Sequence, residues 1–327
     1  MKNIDTKTRI LCLVVVILVL ISLIAHGMIG KNSYKAPIFG RKPAISFFSG
    51  NHEETNGNGM LSKYLKNSEP FANSKTYKYS VKDIDKLSVD ANLADISVKI
   101  SDSDEIVVLE RTSAKFSSSK YTQKLTYTKN GGTLRLEDRG KNDWSLSKNL
   151  NARLPRRELE IAIPKGYTGK LSIDTAFGDI SVNSDLSLED IKFATELGNI
   201  NVDSKLKSKK LKLEANAGDI DTNQFEAGSY DIATDMGNIS ISASRGHGKI
   251  ETSMGDIEAK LGGIDGRVNV STSMGDADVQ IARGLKLNVE TDISMGDNDV
   301  NVSLDVDSNN ELKVESSMGD VSVNYLD

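Results

Sequence analysis

Carboxylates two residues apart recur through the C-terminal half of the chain, at Asp219/Asp221, Asp256/Glu258, Asp276/Asp278 and Asp297/Asp299. If the segments that carry them stack as strands, like charges meet across a gap of about 4.8 Å and repel one another. Such a column invites a cation or raises carboxyl pKa values. Calcium, a hard ion that takes about six to eight oxygens, has suitable chemistry. The candidate ligands are Asp256, Glu258, Asp276, Asp278, Asp297 and Asp299. Two features oppose a metal. The G-G-x-G-x-D spacing of calcium-binding nonapeptides is absent, and Asn199 and Asn238 interrupt the column. An Asp or Asn beside glycine can instead hydrogen-bond the backbone of a tight turn, and this turn reading is preferred.

Other chemistry finds little support. The three histidines are His26 in an apolar run, His52 in a polar stretch and His247 in Arg245-Gly246-His247-Gly248, which reads as a surface loop linking Ile241 to Ile250. They build no Ser/His/Asp or Cys/His constellation. Neither a phosphate-binding G-x-x-x-x-G-K-[ST] nor a dinucleotide fingerprint is present, so no organic cofactor is expected. A polysaccharide-acting β-helix enzyme would use paired carboxylates as acid and base. It would also need aromatic platforms, and the repeat region offers only Phe177, Phe193, Phe225, Tyr230 and Tyr325. We therefore expect no enzymatic activity. If Asp276 and Asp278 were such a pair, converting both to Asn would abolish activity on wall or host polysaccharide.

The elements that carry these acids form a repeat. A Gly-Asp or Gly-Asn step occurs eight times, at Gly178, Gly198, Gly218, Gly237, Gly255, Gly275, Gly296 and Gly319, with spacings of 20, 20, 19, 18, 20, 21 and 23 residues. Around each lie short runs with apolar residues at every second position, such as Leu171-Ser172-Ile173 before Gly178 and Ile180-Ser181-Val182 after it. That alternation marks strands with one buried face. Short strands at a fixed period, unable to bury that face alone, stack into an all-β, parallel β-helix-like solenoid. At about 4.8 Å per rung, such a stack of eight rungs extends about 38 Å. Glycine suits the corner because it adopts positive φ without a Cβ penalty. The residue before it is Phe177, Leu197, Ala217, Met236, Met254, Met274, Met295 or Met318. These side chains are expected to form one internal packing ladder, with flexible thioethers filling an irregular slot.

Ile10 to Gly30 is a nearly unbroken apolar run, long enough for a transmembrane helix. A cleaved signal peptide is the alternative, although its apolar region would be shorter, about 7–15 residues. Residues 1–9 form a tail and 10–30 an anchor. Residues 31–75, with Pro37, Pro43, Pro70 and Asn56-Gly57-Asn58-Gly59, read as a juxtamembrane linker. The β domain follows over 76–327, with an irregular, capping start at 76–165 and regular repeats at 166–327. A degenerate copy appears at Ala94-Asp95-Ile96-Ser97-Val98, and Arg139 to Arg157, with Trp144, reads as a protruding loop. Basic residues flank the apolar run on both sides, so charge does not set its orientation. The preferred layout is single-pass with the β domain outside the cell.

Net charge is −5, but residues 31–170 carry 25 Lys+Arg against 16 Asp+Glu (+9), whereas residues 171–327 carry 13 against 29 (−16). Surface solubility accounts for this, and so does contact between the basic half and an anionic envelope polymer or lipid. An acidic repeat region without a basic, aromatic patch excludes nucleic acid as a partner.

The strand Leu159-Glu160-Ile161-Ala162-Ile163-Pro164-Lys165-Gly166, followed by Leu171 to Val182 with its Gly-Asp-Ile-x-Val step, resembles the bacterial "putative adhesin" domain family. With an N-terminal anchor, the layout is similar to LiaG-type membrane proteins of Gram-positive envelope stress-response systems. The resemblance spans about residues 76–327. It implies a surface-exposed β-solenoid without catalytic residues, acting as a binding or scaffold module toward envelope polymer or membrane-protein partners. The alternative is a structural protein polymerising end to end, because solenoid ends expose unpaired strand edges and the chain stops at its last repeat.

Overall fold

The computed structural model describes residues 70–114, 124–139, 156–303, 305 and 307–326. The expected anchor 10–30, nearly all of the linker and Trp144 lie outside these residues. The order begins β1 (Phe71–Ser80), β2 (Lys86–Leu93), β3 (Asp95–Ser101), β4 (Glu105–Ser113), β5 (Lys124–Asn130), β6 (Thr133–Arg139), β7 (Arg157–Pro164) and β8 (Lys170–Phe177). It continues with β9 (Ile180–Val182), β10 (Leu186–Ser187), β11 (Asp190–Leu197), β12 (Ile200–Ala217), β13 (Ile220–Met236), β14 (Ile239–Met254) and β15 (Ile257–Leu261). The last are β16 (Arg267–Met274), β17 (Ala277–Ile281), β18 (Asn288–Ile293), β19 (Asn298–Val300), β20 (Glu311–Met318) and β21 (Val321–Tyr325). β1 takes in residues 71–75, which the sequence reading assigned to the linker.

These strands coil into the expected solenoid. Each rung has a leading strand, a corner at the glycine and a trailing strand, and like strands pair in parallel from rung to rung. The leading ladder runs β6-β2-β8-β11-β12-β13-β14-β16-β20-β18. The trailing ladder runs β7-β3-β9-β12-β13-β14, then β15-β17-β21-β19. β12, β13 and β14 are longer than the short runs expected, because each passes from one trailing position through a bend, where the pairing shifts register, into the next leading position. The Ala94 copy is a true rung, paired with that of Gly178. Its other side is covered by β6 and β7, beyond which β5, β4 and β1 pair antiparallel. These strands cover that end of the stack as a cap.

Alternate residues point into one continuous apolar core that contains Leu171, Ile173, Ile180, Leu213, Ile232, Ile250, Val270 and Val314, with Phe193 and Phe225 almost wholly enclosed. The segment Arg245-Gly246-His247-Gly248 is not a loop: it lies inside β14, paired with β13, and His247 is an exposed outward residue. Its glycines have a packing reason. A Cβ on Gly248 would meet the buried Tyr230 at 1.9 Å (backbone oxygen) and 2.9 Å (ring), and one on Gly246 would meet that ring at 3.3 Å.

The last two rungs are stacked out of sequence order. β20–β21, bearing Gly319, lies between the Gly275 rung and the Gly296 rung. The inward residues explain the exchange. Leu312, Val314, Val321 and Val323 are all buried. At the matching register positions β18 and β19 carry Val289, Thr291, Asn298 and Val300. The Asn298 amide donates to Thr291 Oγ1 at 2.8 Å. Enclosing that amide and hydroxyl among apolar neighbours would cost free energy. The rung with the polar inner face therefore ends the stack, as a capping repeat does. The end without an evident cap, expected at Val321–Asp327, is thus an internal rung.

Candidate functional site

The corner repeats one set of contacts. The last inward residue of the leading strand is Thr or Ser in most rungs, and its hydroxyl donates to the corner carbonyl of the rung before. Thr195 donates to Gly178 O at 3.0 Å, Thr234 to Gly218 O at 2.9 Å, Thr252 to Gly237 O at 3.0 Å and Thr272 to Gly255 O at 3.0 Å. The glycine then lies directly against its predecessor. A Cβ on Gly255 would be 2.0 Å from Gly237 O, and its φ is +148°.

The Asp or Asn that follows forms an unbroken ladder. Its Oδ1 accepts the backbone N–H of the corresponding residue one rung on. Asn199 N donates to Asp179 at 2.7 Å, Asp219 to Asn199 at 2.9 Å, Asn238 to Asp219 at 2.8 Å and Asp256 to Asn238 at 2.9 Å. Beyond these, Asp276 N donates to Asp256 at 2.9 Å, Asp320 N to Asp276 at 2.8 Å and Asp297 N to Asp320 at 2.8 Å. Only an acceptor oxygen is needed, so Asp and Asn serve equally in this role.

The six acids singled out as cation ligands are not consecutive neighbours. Asp320 stands between Asp276 and Asp297, and Ser322 between Asp278 and Asp299. Ser322 Oγ donates to Asp278 Oδ1 at 2.7 Å, and Glu258 pairs with Lys260 at 2.8 Å. Among the described residues no three His, Cys, Asp or Glu side chains converge as a metal shell.

The residues before the glycines do not form the internal ladder expected of them. They are aligned rung on rung in the order Leu93, Phe177, Leu197, Ala217, Met236, Met254, Met274, Met318. Met295 completes the row, its carbonyl accepting from Gly319 N at 2.9 Å. Where a Thr or Ser hydroxyl occupies the inside of the corner, the following apolar side chain lies toward the surface. It is half-buried at Phe177, Leu197, Met236 and Met254 and exposed at Met274 and Met318, while Met295 follows Ile293 on the terminal rung. Met274, Met318 and Met295 are 43%, 42% and 61% exposed. The result is a ridge: a row of serines (Ser253, Ser273, Ser317, Ser294), a row of methionines and a row of aspartates, with nearly identical Ser-Met-Gly-Asp corners in four adjacent rungs.

A buried ion cluster at the capped end was missed by the sequence reading. Arg157, placed at a loop boundary, is the first residue of β7 and is enclosed. Its Nε donates to Glu110 at 2.8 Å and an Nη to Asp138 at 2.6 Å, while Tyr77 Oη donates to Glu110 at 2.8 Å. Burial alone would lower the Arg157 pKa, but the two carboxylates outweigh it and keep the guanidinium charged. Burial, then the bond to Glu110, pushes the Tyr77 phenol well above its ordinary range. The available signal was parity, because Arg157 shares the inward alternation of Leu159, Ile161 and Ile163. The cluster joins β1, β4, β6 and β7 and has the character of a structural clasp. Aromatic rings do gather here, with Tyr79 and Tyr127 centroids 5.2 Å apart, on the capping strands and apart from the aspartate row of the repeats.

The model of the Toastrack DUF4097 family, a domain of unknown function, matches residues 84–325. Among solved structures, a putative adhesin from Bacteroides fragilis is similar at 16% identity and a TM-score of 0.47, over 79% of this chain and 99% of that one. A putative adhesin from Parabacteroides merdae aligns at 12% identity and 0.47, over 78% and 97%. A putative lipid binding protein from Parabacteroides distasonis aligns at 15% and 0.44, over 78% and 98%. Among functionally curated proteins none matches. The family match runs from just before β2 to the end of β21, and the chain belongs to the Toastrack DUF4097 family.

Proposed function

We propose that this protein is a non-enzymatic binding module displayed outside the cell at the bacterial envelope, held there by residues 10–30 as a membrane anchor. Its partner is an envelope polymer or a membrane protein, and its setting is the response to envelope stress. The observation that carries this reading is the corner ridge. Apolar side chains are held in register and turned outward over adjacent rungs, although Ala217 shows that the same corner forms with only a methyl group there. Exposed, ordered apolar surface rimmed by polar groups is characteristic of interaction sites. The capping strands at one end and the Thr291–Asn298 rung at the other weigh against growth through the ends.

The test is retention of the full-length, detergent-solubilised protein on isolated cell envelope, with and without stripping of anionic polymers. Retention is expected, and it should fall when Met254, Met274, Met318 and Met295 are all changed to Ala. No retention of the wild type under either condition would overturn the reading.

A further inference from the structure

The ridge has a chemical sidedness that defines its partner more narrowly. Two features of it exceed what the fold requires. Phe177, Leu197 and Ala217 fill the methionine position in earlier rungs, so no thioether is needed there. Asn199 and Asn238 serve in the ladder, so no charge is needed either. Yet the four rungs at the end of the stack all present Ser-Met-Gly-Asp, and the insertion of β20–β21 makes them contiguous. On one flank of the methionines lie the hydroxyls of Ser253, Ser273, Ser317 and Ser294, which are uncharged. On the other lie the carboxylates of Asp256, Asp276, Asp320 and Asp297, whose Oδ1 atoms are engaged in the ladder except at the terminal Asp297. Each ladder carboxylate keeps its second oxygen for an incoming cation.

We infer that this ridge binds a basic amphipathic helix of a partner protein, with apolar residues on the methionine row and Lys or Arg along the aspartate flank alone. This rests on the binding-module reading above and names the partner's chemistry. The dimensions agree. Four methionines at about 4.8 Å per rung span about 14 Å, and three helical turns of about 5.4 Å span about 16 Å. Anchors at i, i+4, i+7 and i+11 would therefore each meet one methionine. Unbranched thioethers adapt to differing side chains and suit such a surface. An anionic membrane is the poorer occupant, because the aspartate row repels it.

The probe is a dye-labelled helical peptide of leucines on one face and lysines along one flank, measured against the full-length protein by fluorescence anisotropy. A counterpart with glutamate in place of lysine serves as control. Binding of the lysine peptide is expected to be at least tenfold tighter than that of the glutamate peptide and to weaken as salt rises. Changing Asp256, Asp276, Asp320 and Asp297 together to Asn should remove most of that preference without moving the unfolding midpoint, since Asn already serves in this ladder. Met274→Leu should bind normally and Met274→Gln more weakly. Equal binding of the two peptides, or binding untouched by the Asn variant, would overturn the inference. The peptide comparison on the wild type stands even if that variant folds poorly. Envelope retention that depends on the methionines while both peptides bind alike would sink this partner and leave the binding-module reading intact.

Discussion

Gly255→Ala is the sharpest test of how the stack is held together. The added Cβ would lie 2.0 Å from Gly237 O and 2.6 Å from its carbonyl carbon. Both atoms belong to backbone and cannot rotate away. Relief requires the two rungs to separate at the corner by more than an ångström. The bonds lost are those of Gly237 N to Met254 O and of Asp256 N to Asn238 Oδ1, each 2.9 Å. Two hydrogen bonds are worth about 2 kcal/mol. Holding Ala at φ +148° adds about 1–3 kcal/mol of strain. Together these give a destabilisation of about 4 kcal/mol. Gly284→Ala supplies the control: its φ is +83°, but nothing lies within 4 Å of the added Cβ. It should cost about 1–2 kcal/mol, from backbone conformation alone. The assay is urea unfolding followed by circular dichroism, comparing midpoints and slopes because stacked repeats need not unfold in one step. If Gly255→Ala costs no more than Gly284→Ala, close contact between corner backbones is not what makes glycine necessary.

Asp276→Asn should leave stability unchanged, whereas Asp276→Ala removes the acceptor for Asp320 N and should cost about 1 kcal/mol in the same unfolding assay. Arg157→Met leaves Glu110 and Asp138 facing each other without their cation. It should destabilise the capped end by about 3–5 kcal/mol, read as early loss of hydrogen-exchange protection in β1, β4 and β6. Calcium should leave the melting temperature unchanged, because among the described residues no three acids converge as a metal shell; a rise with calcium would restore the cation column. Replacing Thr291 and Asn298 together by Val makes the terminal rung apolar inside and should make the protein self-associate more strongly than the unaltered chain in sedimentation.

Local chemistry determined the repeat. A glycine every 18 to 23 residues, with alternating apolar runs on either side, leaves few folds other than a stacked coil, and each copy states this independently. The interchange of Asp and Asn after that glycine likewise shows in the sequence that the position needs an oxygen and not a charge. Three matters were decided only when the chain was assembled. The methionines share the inward parity of Ile232 and Ile250, so alternation placed them inside. In every methionine rung but the terminal one, a Thr or Ser hydroxyl reaching the carbonyl of the previous rung takes that space, and the methionines lie toward the surface. Arg157 carried inward parity too, but its carboxylate partners come from strands 47 and 19 residues away, and no local pattern pairs them. The order of the last two rungs follows from a competition for burial. Chain order would place Gly319 at the end, but Leu312, Val314, Val321 and Val323 gain more from enclosure than a rung bearing Thr291 and Asn298. Periodicity fixes what each rung is; the free energy of burying its inner face fixes where it goes.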